Sequence, residues 1–202
     1  MDENISIRPG DIFCTSFPGA IISKAIKRAE KRQSKDNEAE LTHSGFIVDS
    51  KGLTFEALSR YKHQNIWDAY GGKEVKLLIG RHKLMDGMEF FSAYTEIKRI
   101  YSASRWMTWV KPDICGYRGK IYPAWRLLMH EIPGLAKFSI GPAVCSEITM
   151  RMLNLCGLSK AWKGWNPDDV ADMIVRFKTF DIIYHKNIES YDSAYLNAGG
   201  EQ

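Results

Sequence analysis

The chain has 202 residues, 45% of them hydrophobic and 26% charged, with a formal net charge of +4. That balance describes one folded domain large enough to bury a core without disulfides or metals. The charge is too weak for the dense basic surface that nucleic acid demands, so no nucleic-acid partner is expected.

Cys14, Cys115, Cys145 and Cys156 show no C-x-x-C spacing, which argues against a zinc knuckle or a disulfide framework. Met1 to Pro18 lacks the basic start and apolar run of a signal peptide. No stretch reaches the roughly 18–20 apolar residues of a bilayer span, so no stable membrane insertion is expected. Reduced thiols in the cytoplasm are the simplest account.

In chain order, RPGDIFCTSF from Arg8 reads as a turn and a short strand. A basic segment, Ser23 to Lys35, follows, with Ile22, Ala25, Ile26 and Ala29 at helical spacing. It reads as an amphipathic helix to about Gln33 with a solvated charged face, ahead of a phosphate-binding or membrane-surface helix. After a polar loop, LTHSGFIVD (Leu41–Asp49) and LTFEALS (Leu53–Ser59) read as strands joined by the turn DSKG, and Val75–His82 as a buried third strand. Met88, Phe91, Tyr94, Ile97 and Tyr101 recur at three or four residues and predict a helix from Asp86 to about Ser104. Trp106 to Phe138 is aromatic and broken by Pro and Gly, as loops and short helices would be. A helix is expected from about Ser146 to Leu155, stopped by Gly157; another starts at NPDD (Asn166–Asp169); a last strand covers Phe177–His185. The chain thus reads as a single α+β domain over residues 1–202, with a helical, aromatic-rich insert at about 86–138.

Chemistry concentrates on His43, Glu56 and Cys145. A turn centred between Ser50 and Lys51 pairs Gly45 with Glu56, which sets His43 diagonal to Glu56 on one face. Gly45 then leaves the space between them empty, and the carboxylate can hold the imidazole in one tautomer. A one-residue slip would turn Glu56 to the other face. Cys145 follows Gly141, Pro142, Ala143 and Val144 and opens an amphipathic run. Unpaired N–H groups at a helix start stabilise a thiolate and can form an oxyanion hole. Cys156 lies about 16 Å further along the same helix axis and reads as a core thiol. Taken singly, a buried cysteine, a structural histidine and a water-facing glutamate are the plain alternatives.

The pieces RPGDIF, ISKAIKR, THSGFIVDSKGLTFEALS and AVCSEIT, in that order, resemble the circularly permuted, YiiX-like branch of the NlpC-like superfamily. The resemblance rests on Pro9-Gly10-Asp11, Ser23 with Ile26, His43-Ser44-Gly45, Glu56-Ala57 and Cys145-Ser146-Glu147. It implies a papain-like NlpC-type fold, an antiparallel sheet packed with helices, in which histidine and carboxylate precede the cysteine. It further implies Cys145 as nucleophile, His43 as base and Glu56 as orienting group, with Ser44, Gly45 and Ser146 expected at the substrate. The implied activity is amide hydrolysis through a thioester, on peptides, cell-wall-type peptides among them.

A thiol-dependent acyltransferase or a lipid amide or ester hydrolase is the alternative within that superfamily. A non-catalytic binding module on the same fold is the rival from another class. A mixed metal site of His43, Glu56 and Cys145 is the least favoured, since catalytic zinc prefers clustered histidine and carboxylate ligands. No cofactor or metal is expected, and the partner is a small peptide or acyl-containing substrate. Four of the six tryptophans, at 106, 109, 162 and 165, offer either core or a surface for such a group.

Overall fold

A computed structural model describes residues 5–16, 41–57, 61–72, 74–102 and 145–188. The expected charged helix, the aromatic block from Trp106 to Phe138, the residues Gly141–Val144 and the tail after Ile188 lie outside the described residues.

The elements run β1 (Ile12–Ser16), β2 (His43–Ile47), β3 (Leu53–Ala57), β4 (Tyr61–Asn65), α1 (Ile66–Tyr70), β5 (Lys76–His82), α2 (Gly87–Ser102), α3 (Cys145–Leu155), α4 (Pro167–Arg176) and β6 (Phe180–Lys186). The strands form one six-stranded sheet in the order β4-β3-β2-β1-β5-β6, with every neighbouring pair antiparallel. The architecture is mixed α+β.

Alternation along the strands divides two cores. Ile12, Cys14, Phe46, Phe55 and Leu78 face one way and meet Phe90 and Tyr94 of α2, Ile148 and Met152 of α3, and Val170 and Ile174 of α4. Phe13, Ile47, Leu77 and Ile79 face the other way and meet Ile66 and Tyr70 of α1, together with Ile7 and Val75. Both faces of the sheet are therefore covered.

The termini follow local chemistry. Asp49 Oδ1 accepts the N–H groups of Lys51 and Leu53, tightening the turn between β2 and β3. Gly157, at φ +70°, ends α3: its N–H reaches the carbonyl of Asn154 while that of Leu158 reaches Leu153. This bonding pair satisfies carbonyls that a helix end leaves open. Asn166 and Asp169 form a reciprocal capping box at the start of α4. The Pro-Gly-Asp opening is architectural. Gly10 sits at φ +91° against Met85 and Phe90, and buried Asp11 holds Arg81 of β5 through both carboxylate oxygens at 2.7 and 2.8 Å.

Two readings need correction. The segment from 60 to 74 carried no expected element, yet it forms β4 and α1. YKHQN lacks an apolar alternation because β4 is the last strand in the order, and Asn65 caps α1 by accepting from the N–H groups of Trp67 and Asp68. The helix α2 is where periodicity put it, but its buried stripe is Phe90, Ala93, Tyr94 and Ile97, while Met88 and Phe91 are exposed. Phe90 stacks on Tyr94 one turn away, at 5.8 Å between ring centroids, and both rings meet Phe46 edge-on. Aromatic complementarity with the sheet selects that stripe over a neighbouring one of similar hydrophobicity.

Candidate active site

The turn between β2 and β3 gives the register Gly45↔Glu56, Phe46↔Phe55 and Ile47↔Thr54. No slip intervenes, so His43 and Glu56 share a face. His43 Nε2 lies 2.6 Å from Glu56 Oε2, with both side chains buried. The carboxylate can only accept when ionised, which puts the ring proton on Nε2. The space over Gly45 is not empty as expected. The Phe13 ring fills it, and a Cβ at residue 45 would come within 2.6 Å of Phe13 Cζ and 2.9 Å of the Phe55 carbonyl oxygen. Glycine is required there because a cross-strand aromatic lies across the backbone, and Phe13 also presents its edge to His43.

Glu56 is enclosed by donors. The Thr54 hydroxyl donates to Oε1 at 2.8 Å, and the Tyr70 hydroxyl donates to Oε2 beside His43. Gln64 Nε2 in turn donates to the Tyr70 oxygen at 2.9 Å. Burial opposes the carboxylate charge most strongly, but the bonds and charge of His43 and the bonds from Tyr70 and Thr54 outweigh it, holding Glu56 below its ordinary pKa. The Tyr70 phenol is driven the other way, upward, by burial and by the adjacent Glu56 charge.

Cys145 is the first residue of α3, and its side chain is buried. His43 is the first residue of β2. Burial lowers the imidazole's pKa, yet the charge of the Cys145 sulfur and its hydrogen bond to the ring, followed by the bond and charge of Glu56, push it up to about 9. With Nε2 turned to Glu56, Nδ1 is the ring nitrogen left for the sulfur. The coupling is reciprocal: an imidazolium that a thiolate favours itself favours the thiolate.

The residues after Cys145 anchor the helix start. The Ser146 hydroxyl donates to the Trp165 carbonyl at 2.5 Å, and Glu147 Oε1 accepts the Gly164 N–H at 3.0 Å. The Thr149 hydroxyl lies 3.1 Å from the Cys145 carbonyl and 3.4 Å from the Ser44 hydroxyl. Ser44, Gly45 and Ser146 are all buried, so these three face protein groups.

Sequence reasoning missed Phe13, Thr54, Gln64 and Tyr70. Thr54 was accessible to it, since a residue two before Glu56 on a strand shares its face. Phe13 needed the pairing of β1 with β2. Tyr70 needed the tertiary packing of α1, whose only advance signal was the cap Asn65.

Cys14, Cys145 and Cys156 carry thiols rather than disulfides, and Cys115 lies outside the described residues. Among the described residues no cluster of three or more His, Cys, Asp or Glu side chains could hold a metal ion, and no helix is long and apolar enough to cross a membrane.

No protein-family model matches the chain, and no curated protein does. Among solved structures, the crystal structure of the metalloprotein yiiX from Escherichia coli O157:H7 is similar at 20% identity and a TM-score of 0.49, covering 75% of this chain and 68% of that one.

Proposed function

We propose that the chain is a single-domain cysteine hydrolase of permuted papain-like type, acting on an amide carbonyl through a thioester. The observation that carries the reading is the buried series Cys145–His43–Glu56, in which the imidazole is bound by sulfur on one side and carboxylate on the other. Raised to about 9 by the sulfur and the carboxylate, the imidazole is a cation at neutral pH, and an imidazolium beside the sulfur favours the thiolate.

The sulfur attacks the carbonyl carbon and a C–S bond forms. In this reading the N–H groups that a helix start leaves unpaired would receive the developing oxyanion. The His43 imidazolium gives its proton to the leaving nitrogen as the C–N bond breaks, leaving the thioester and a neutral imidazole. His43 then takes a proton from water, the hydroxide adds to the thioester carbonyl, and the C–S bond breaks to return the thiolate. Another acceptor in place of water would make the same site an acyltransferase. Glu56 keeps the ring oriented and its charge compensated throughout. Ser44, Gly45 and Ser146, being buried, shape the site from behind in this reading.

The test is the pH dependence of Cys145 alkylation by iodoacetamide, followed by mass spectrometry of the labelled peptide, with His43→Ala alongside. Cys145 should stay reactive well below the ordinary thiol pKa of about 8.5, and His43→Ala should slow it at neutral pH by about tenfold or more. Reaction no faster than that of Cys14 or Cys156, and indifferent to His43, overturns the reading.

A further inference from the structure

Tyr70 closes α1 and is fully buried, with its ring 5.5 Å from Phe13 and 6.3 Å from the His43 ring. Its hydroxyl meets the same carboxylate oxygen, Glu56 Oε2, that receives His43 Nε2. Behind it, Gln64 Nε2 donates to the phenol oxygen, which polarises the O–H toward Glu56. Orphaned, a buried hydroxyl is costly; here it is paired on both sides, Gln64 to Tyr70 to Glu56.

An oxygen shared by an imidazole and a phenol is a balance of basicities. A donor that stabilises the charged carboxylate lowers its affinity for a proton, so the proton between Glu56 and His43 stays on the ring. A neutral donor does this without supplying a competing positive charge, as a lysine or arginine would. Burial and the Glu56 charge keep the phenol neutral, so it remains a donor across the working pH range.

We propose that Tyr70 is a positioning residue for the proposed acyl transfer: its hydroxyl, oriented by Gln64, holds Glu56 as the carboxylate and thereby keeps His43 charged beside Cys145. The inference rests on the nucleophile reading above. Among the described residues, the titratable groups facing Glu56 and His43 are Tyr70 from α1, Cys145 from α3 and Lys62 from β4, which is opposite Glu56 in register and exposed. On the same face β1 presents Phe13 and Thr15 and β5 presents Leu77 and Ile79, none of which titrates.

The experiment is the pH profile of Cys145 alkylation in wild type, Tyr70→Phe, Glu56→Gln and the double variant, each checked for folding by circular dichroism. Tyr70→Phe should move the midpoint upward, toward the ordinary thiol value, by about one pH unit. The double variant should match Glu56→Gln alone, because the phenol acts through that carboxylate. Gln64→Leu, on a half-exposed strand position, should shift the midpoint the same way by less, and it carries the test if Tyr70→Phe does not fold. A phenol with a merely structural role would lower stability and leave the midpoint in place. An unmoved midpoint in folded Tyr70→Phe, or additive shifts in the double variant, overturns the role of Tyr70 while the nucleophile stands. A wild type with no reactivity below the ordinary thiol range overturns the nucleophile reading and this one with it.

Discussion

Cys145 opens α3 and Cys156 follows its last turn, so one helix carries two buried thiols in opposite environments. Cys156 packs against the Met152 sulfur, and burial, with some repulsion from Glu89, pushes its thiol up to about 11. Cys145 instead faces the His43 imidazole. The histidines divide the same way. His43, between sulfur and carboxylate, is raised to about 9; His63, whose partner is the neutral Tyr94 hydroxyl at 2.6 Å, is lowered by burial and then by Lys98. Desolvation beside a like charge silences a titratable group, whereas burial beside an opposite charge arms it.

The contrast breaks most easily at the thiols. At pH 7 a thiol titrating near 11 is thiolate in only about one part in ten thousand, so Cys145 should alkylate at least about a hundredfold faster than Cys156. Competitive labelling of the native protein reads that ratio, and a ratio near one would erase the distinction.

A smaller effect sharpens the histidine comparison. Cys145→Ala removes the charge and the hydrogen bond that raise His43, so its pKa should fall from about 9 by about one unit or more. His63, partnered on β4 and α2, should not move. Proton NMR of the two imidazoles measures both, and a His43 that keeps its value would assign the shift to Glu56 instead.

The smallest effect concerns acid stability. Glu56 has a folded pKa below its ordinary 4.5, so its stabilisation is present above that value and lost as pH falls through the lowered one. Wild type should therefore lose stability in that window that Glu56→Gln does not. Urea unfolding at pH 7 and pH 3.5 compares them; parallel loss in both would place the acid sensitivity elsewhere.

Much of this was legible because it is local. The turn DSKG sets the pairing of β2 with β3, and that pairing alone sets His43 and Glu56 on one face. Gly157 and the pair Asn166 and Asp169 mark helix ends by bonding within a few residues. The partners of Glu56 were harder, since Tyr70 arrives on a five-residue helix behind a polar edge strand with no apolar period to reveal it. Gly45 was read as open space when it is a contact, because only the alignment of β1 beside β2 brings Phe13 across it.

By itself, then, the amino-acid order determined the hairpin, the diagonal His43–Glu56 pair, 13 positions apart, and a cysteine at a helix start, all products of local chain geometry. Bringing Cys145 to His43, 102 positions earlier in the chain, and closing Glu56 between Thr54 and Tyr70 were left to the tertiary structure. Those contacts depend on how α1 and α3 pack against the sheet. Packing is settled by the fit of whole faces, such as Phe90 and Tyr94 against Phe46, which no local pattern of hydrophobicity encodes.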